Sequence, residues 1–217
     1  LLALGRATPS AALSASAADS PQAADFFLLG VTHMLTGWDH LAFLLALVLG
    51  CARLRRLLLI VTSFTVAHSV TLALGATGII TLAPSVVEPV IAASIAAAAG
   101  LAAYRLWHDR LTWPGRGGPT IDHGGVKAEL ALCFGFGLVH GLGFAGLLTE
   151  LAPDMFAGFV PLLTFNLGVE VAQIAAVSVA FPLLVWVGRT RAARPAFGGL
   201  LTGLIALGLM VAFQRLA

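Results

Sequence analysis

The chain has 217 residues, of which 59% are hydrophobic and only 10% are charged. Soluble domains usually carry about 25% charged residues, so this composition indicates that lipid surrounds most of the chain. The net charge of +2 is too small to indicate nucleic-acid binding, and the sequence has no basic stripe with interleaved aromatic residues.

Residues 1–24 precede the first apolar segment and are rich in Ala and Ser. Ala15-Ser16-Ala17 has the small-x-small pattern of a signal-peptidase site. We therefore expect residues 1–24 to be the remainder of a cleavable signal or a short periplasmic leader, with a disordered tail as the alternative. Residues 25–217 are expected to form one transmembrane domain.

Six segments are apolar enough and long enough to cross a bilayer, which takes roughly 20 residues. In chain order these predicted spans are residues 26–50, 57–78, 85–106, 127–150, 159–187 and 197–214. Clusters of Arg, Pro and Gly separate them, as loops require. The sequence therefore predicts an all-α, polytopic membrane bundle of six transmembrane helices.

The positive charges are divided unevenly between the two ends of these spans. Of the 12 Lys and Arg residues, all but Arg6 and Arg215 lie in or beside the connections after spans 1, 3 and 5. Lys and Arg are retained on the cytoplasmic side of a membrane. We therefore expect both termini in the periplasm and the protein in the bacterial inner membrane.

Ionisable residues within a span cost at least about 2.5–3.5 kcal/mol each to insert, so they need partners and usually a function. The candidates are His33, Asp39, His40, His68, Glu88, His140 and Glu170, with Asn166 and Gln173 on either side of Glu170. At the rise of an α-helix, all of them are predicted to share one layer that is open toward the periplasm.

Helical spacing predicts which of these side chains share a face. His33, Gly37 and His40 lie at i, i+4 and i+7, and Asn166, Glu170 and Gln173 repeat that spacing. On the helix of span 1, Asp39 points about 100° away from His40. Asp39 is therefore expected to orient a neighbouring side chain.

Imidazole and carboxylate groups together suit borderline divalent ions such as Ni²⁺, Co²⁺ or Zn²⁺. The seven ionisable candidates are thus predicted metal ligands, with Asn166, Gln173 and Ser69 as supporting or pathway residues. Ser69 is also expected to bond to the helix backbone. The two cysteines, Cys51 and Cys133, lack CxxC spacing and predict no thiolate site. The competing interpretation is that the histidines are hydrogen-bonded packing residues.

Four glycines surround His140, at positions 135, 137, 141 and 143. Small residues at this spacing allow a neighbouring helix to approach closely. They would equally allow the helix to unwind at the site, and both alternatives remain open at this point.

Five motifs occur in order along the spans. They are HMLTGWDHL at 33–41, FTVAHSVTL at 64–72, VEPVIAAS at 87–94, FGLVHGLGFA at 136–145 and FNLGVE at 165–170. Together they resemble the HupE/UreJ family of membrane proteins over about residues 27–215. Members of that family are regarded as nickel or cobalt permeases. The resemblance therefore implies a metal motif of His33, Asp39 and His40 and roles for His68, Glu88, His140 and Glu170.

Two departures from related patterns concern the first motif. Met34 follows His33, where better-studied members of the family carry Pro. The spacing from His33 to Asp39 also differs by one from the His-x4-Asp-His signature of the separate nickel/cobalt permease family. Both departures bear on which metal is the substrate.

Three functions are consistent with these residues. The first is a permease that passes Ni²⁺ or Co²⁺ inward, driven by the membrane potential, a proton gradient or a partner, since no Walker motif is present. The second is an intramembrane zinc-dependent hydrolase with Glu88 or Glu170 as general base. The third is an accessory subunit that binds metal or another membrane protein. The expected partners are the lipid bilayer and a metal ion, and a homo-oligomer is left open.

Overall fold

The computed structural model describes residues 23–108, 123–151 and 158–216. Within these ranges the chain forms seven α-helices and no strand, so the all-α prediction is confirmed. The helices are α1 (Ala23–Thr36), α2 (Trp38–Gly50), α3 (Leu54–Ala76), α4 (Pro84–His108), α5 (His123–Leu151), α6 (Phe159–Gly188) and α7 (Ala193–Leu216). The predicted leader at residues 1–24 lies outside the described residues except for Ala23 and Ala24, which begin α1.

Five of these helices are long and apolar enough to cross a membrane, namely α3, α4, α6, α7 and the Glu129–Gly146 part of α5. The bent pair of α1 and α2 adds a sixth span if it is counted as one. The chain is therefore a multi-pass membrane protein with five to six candidate spans in the described ranges. The helices match the predicted spans in order.

The prediction of a single helix over residues 26–50 is wrong, because two helices occupy this range. The helix breaks at Gly37, and the axes of α1 and α2 differ by 67°. A β-carbon at Gly37 would lie 2.7 Å from Nδ1 of His40 and 2.9 Å from the carbonyl oxygen of His33, so glycine suits this turn. Asp39 accepts a hydrogen bond from the backbone N–H of His40 at 2.9 Å, which satisfies a free amide in the first turn of α2.

Glycines allow the helices to pack backbone against backbone. Gly137 and Gly141 of α5 face the carbonyl groups of Phe64 and His68 on α3, where an added β-carbon would clash. The α5 helix is unbroken from His123 to Leu151. Of the two alternatives for the glycines around His140, the structure therefore supports close approach.

Close contacts at glycines also join two other helix pairs. Gly30 of α1 and Gly168 of α6 each face a backbone carbonyl of the other helix. Gly208 of α7 lies against α4, with a built β-carbon 2.8 Å from the Ala92 carbonyl oxygen. These contacts set the rotation of each helix about its own axis, and that rotation determines which polar side chains point inward.

Candidate metal site

Four histidines, one from each of α1, α2, α3 and α5, converge in the core of the bundle. The ring centroids of His33 and His40 are 4.8 Å apart, and those of His40 and His140 are 5.4 Å apart. His68 lies 6.1 Å from His40 and 6.3 Å from His33. His40, His68 and His140 are all buried, and we call these four residues the histidine cluster.

Five ring nitrogens of the histidine cluster are buried and have no hydrogen-bond partner among the described residues. They are Nε2 of His33, Nε2 of His40, both nitrogens of His68 and Nε2 of His140. A buried polar atom without a partner costs roughly 1–3 kcal/mol, so such atoms are rare unless a ligand serves them. A neutral imidazole has a lone pair on only one of its two nitrogens, so each of the four rings can offer one nitrogen to a cation.

The tautomers of two histidines follow from their partners. Nδ1 of His140 donates to the carbonyl oxygen of Phe136 at 2.8 Å, and Nδ1 of His40 donates to Oδ1 of Asp39 at 3.1 Å. Both partners are acceptors, so the proton of each neutral ring lies on Nδ1 and the lone pair lies on Nε2. When the two rings are neutral, their Nε2 atoms therefore carry the lone pairs that can bind a metal.

Asp39 lies where it can orient His40, as its predicted role requires. Its carboxylate accepts from both the ring and the backbone N–H of His40. Carboxylates in this position fix ring orientation and raise ligand basicity in known metal sites. The geometry differs from the expectation in one respect, because the contact arises at the start of α2 after the break at Gly37.

The polar residues of α6 bond mainly to α3. Thr62 donates to Oε1 of Glu170 at 2.6 Å, and Thr65 donates to the side-chain oxygen of Gln173 at 2.6 Å. Asn166 donates through its amide nitrogen to the carbonyl oxygen of Leu162 at 2.8 Å. Oδ1 of Asn166 and Oε2 of Glu170 are buried without a hydrogen-bond partner. Among the described residues, Asn166 and Glu170 therefore each keep one oxygen acceptor free, and the hydrogen bonds of these three side chains go to α3 and to α6 itself.

Two other candidates have contacts elsewhere. Glu88 on α4 pairs with Arg215 on α7 at 3.3 Å, and its side chain is 47% exposed. Its ionic contact therefore joins two helix ends and does not reach an imidazole. Ser69 donates to the carbonyl oxygen of Thr65 at 2.7 Å, which agrees with the expected backbone bond.

Aromatic rings surround the histidine cluster, although none of them was among the predicted site residues. The ring of His33 lies 3.9 Å from that of Phe144 and 5.5 Å from that of Phe165. The ring of His140 lies 5.0 Å from that of Phe64. Phe64 and Phe144 each lie four residues from a motif histidine, a spacing that places two side chains side by side on a helix. This spacing was the feature of the sequence that could have predicted their place beside the histidines.

The ring nitrogens of the four histidines are not directed at one common point. In the described ranges, no group of three or more His, Cys, Asp or Glu side chains is arranged so that it could hold a metal ion. Zinc-like ions take ligand nitrogens at about 2.0–2.1 Å. The rings must therefore turn toward one another before they can coordinate one ion together.

A buried ionic cluster lies near the N-terminal end of α5, and the sequence did not lead us to predict it. Glu129 accepts from Nε of Arg56 at 2.7 Å and pairs with its terminal nitrogen at 2.6 Å. Arg105 pairs with the other carboxylate oxygen. Glu129 is inside predicted span 127–150, and both arginines lie at neighbouring span ends, so this pairing had a signal in the sequence. We call these three residues the ionic cluster.

The fold and site define a multi-pass, all-helical membrane protein with a buried histidine cluster. The family model described as HupE / UreJ protein matches residues 10–214. The chain therefore belongs to the HupE/UreJ family, and the resemblance seen in the five motifs is confirmed. No curated protein and no solved structure matches the chain.

Proposed function

We propose that this protein is an inner-membrane permease for a divalent transition metal, with Ni²⁺ or Co²⁺ as the substrate. The carrying observation is the set of buried imidazole nitrogens without partners, contributed by four separate helices. Uncharged nitrogen donors suit borderline divalent ions, and neighbouring Asp39 would offset part of the ion's charge. Membership of the HupE/UreJ family supports the same substrate class.

The broken first span also supports transport. Irregular backbone at membrane depth is tolerated where it is buried in protein or lines a cavity, and broken helices commonly form substrate sites in transporters. The break at Gly37 separates His33 from His40. Each histidine can then move with its own helix, and we propose that this movement brings the rings to one ion.

The proposed topology counts α1 and α2 as one span. It gives six spans, with both termini in the periplasm as the distribution of Lys and Arg predicts. Glu88, paired with Arg215, would then lie at the outer ends of α4 and α7. The free oxygens of Asn166 and Glu170, with Gln173 and Ser69 beside them, would provide polar contacts along the path.

The membrane potential is a sufficient driving force for this role. Moving one elementary charge through 100 mV is worth about 2.3 kcal/mol, so a divalent ion gains about 4.6 kcal/mol on entry. No nucleotide-driven step is needed for facilitated entry on these terms.

Uptake into proteoliposomes tests the proposal. Purified protein is reconstituted, a negative-inside potential is imposed, and the influx of Ni²⁺, Co²⁺, Zn²⁺ and Cu²⁺ is compared. We expect saturable influx of Ni²⁺ or Co²⁺, and its loss in His68→Ala and His140→Ala. His108→Ala is the matched control, since His108 lies at the end of α4 and its ring contacts Tyr104.

The outcomes separate the competing functions. Absence of influx for every ion, from protein that is folded in the vesicles, would contradict the permease. Zinc retained after chelation, without any flux, would favour the intramembrane hydrolase. Equal influx in His68→Ala and His108→Ala would remove the histidine cluster from the path.

A further inference from the structure

A small cavity lies beside the histidine cluster, on the side that faces the ionic cluster. Its volume is about 140 Å³. Phe43, Ile60 and Phe136 line it near the histidines, whereas Arg105 and Glu129 line it at the far end. The cavity therefore extends from the rings that touch the histidine cluster to the charges of the ionic cluster.

On three helices, one stripe of residues runs from the histidine cluster past this cavity, and part of each stripe lines it. The stripes are His40, Phe43, Leu47 and Gly50 on α2; His68, Phe64, Ile60 and Arg56 on α3; and His140, Phe136, Cys133 and Glu129 on α5. Successive members are three or four residues apart, so each stripe occupies one helix face. At a rise of about 1.5 Å per residue, His140 and Glu129 lie roughly 16 Å apart along the helix axis.

The second layer separates the histidines from the cavity. The ring of Phe43 lies 5.2 Å from that of Phe64 and 5.8 Å from that of Phe136. Phe43 also lies 5.6 Å from the ring of His140. We call these three rings the phenylalanine layer. An ion leaving the histidine cluster in this direction meets these rings first.

The last layer joins three helices through charge. Arg56 lies on α3, Arg105 on α4 and Glu129 on α5, and the carboxylate between them is only 8% exposed. Breaking a buried ion pair by removing one partner is strongly destabilising, so the cluster holds these helix ends together.

We propose that the phenylalanine layer, the cavity and the ionic cluster form the inner half of the transport path in its closed state, with Arg56, Arg105 and Glu129 as the inner gate. The inference rests on the proposed permease function. The gate opens when α3, α4 and α5 separate at this end, and the ion then passes from the histidine cluster through the cavity to the cytoplasm.

The chain carries its own reporter for this opening. Cys51 and Cys133 are its two cysteines, both buried, and both line the cavity. A Cys51→Ser protein leaves Cys133 as a single thiol within the cavity. Its rate of modification by a membrane-impermeant, cationic methanethiosulfonate reagent measures how often water and solutes reach the cavity.

The experiment compares two substitutions of one type, both in the Cys51→Ser background. Arg105→Gln removes an arginine from the inner gate, and Arg215→Gln removes the arginine that pairs with Glu88 at the other end of α4. We expect Arg105→Gln to speed Cys133 modification about tenfold from the cytoplasmic side of inverted vesicles, equivalent to about 1.4 kcal/mol of lost closed-state stability. Arg215→Gln should leave the rate unchanged.

Glu129→Gln is the second gate variant and should behave as Arg105→Gln does. If either folded gate variant keeps Cys133 as protected as in the parent, the inner gate is wrong. Faster modification from the periplasmic side alone would also overturn it. The labelling measurement needs no metal. If the gate variants are labelled faster but the protein transports no metal, the closed inner gate is supported and the permease function is contradicted.

Discussion

Replacing His68 by Leu should stabilise the metal-free protein while abolishing metal binding. His68 is 0% exposed, and neither of its ring nitrogens has a hydrogen-bond partner. A neutral imidazole carries one donor and one acceptor, and each costs about 1 kcal/mol or more when buried without a partner. Leu removes both atoms.

The expected gain is the difference between two effects. Removing the donor and the acceptor recovers about 2 kcal/mol at the lower end of that range. Repacking a core side chain of similar size costs less than about 1.5 kcal/mol, so the net gain should be about 1 kcal/mol. His140→Leu should gain less or lose stability, because His140 has one unpartnered nitrogen and gives up its bond to Phe136.

Metal should reverse this order. A ligand at 100 times its dissociation constant stabilises the folded state by about 2.7 kcal/mol. The unsubstituted protein should receive that stabilisation from Ni²⁺ or Co²⁺, and His68→Leu should not. Equilibrium unfolding in mixed detergent micelles, first with a chelator and then with metal, measures both differences in the free energy of unfolding.

Two results would refute the reasoning. If His68→Leu is the less stable protein in chelator, then water or another group already satisfies the ring nitrogens, and the histidine cluster is not a set of free donors. If metal stabilises both proteins equally, His68 is not a ligand. Either result would require a different site.

Two further predictions concern Asp39 and the helix contacts. Asp39→Asn should weaken metal binding by about 10–100-fold, because loss of a carboxylate that supports a ligand has an effect of this size. Asp25→Asn, on the exposed first turn of α1, is the control and should have little effect. Calorimetric titration of both proteins with metal measures the two affinities. Equal affinities would show that Asp39 does not support a ligand. Gly141→Ala should destabilise the protein by about 1–3 kcal/mol because its β-carbon would clash with α3, whereas Gly135→Ala, with nothing within 4 Å, should be neutral or slightly stabilising. Thermal unfolding distinguishes these outcomes, and similar transition temperatures for the two variants would contradict the close contact of α3 with α5.

Much of the candidate site was accessible from the sequence because lipid makes polar residues conspicuous. The high cost of inserting an ionisable group predicts that His33, His40, His68 and His140 point into the bundle. All four do meet there. The predicted partnership of Asp39 with a neighbouring ring is likewise present in the contact with His40.

The errors have specific physical causes. Span 1 was treated as one helix because its hydropathy is continuous, whereas the break depends on how Gly37 fits between His33 and His40. Glu129 was not predicted to have a role, because the predicted site lay in the outer half of the spans and its partners Arg56 and Arg105 lie at the opposite span ends. Position along the spans placed Glu88 near the histidines in depth, but the structure pairs it with Arg215.

By itself, the sequence determined the lipid-like surroundings of the chain and the order of its helices. These properties follow from composition and from the fixed rise of a helix along its axis. Only the tertiary structure decided which groups meet, because that depends on the rotation and crossing of helices distant in sequence. Contacts such as Gly141 against the His68 carbonyl set that rotation, and hydrophobicity alone does not encode it.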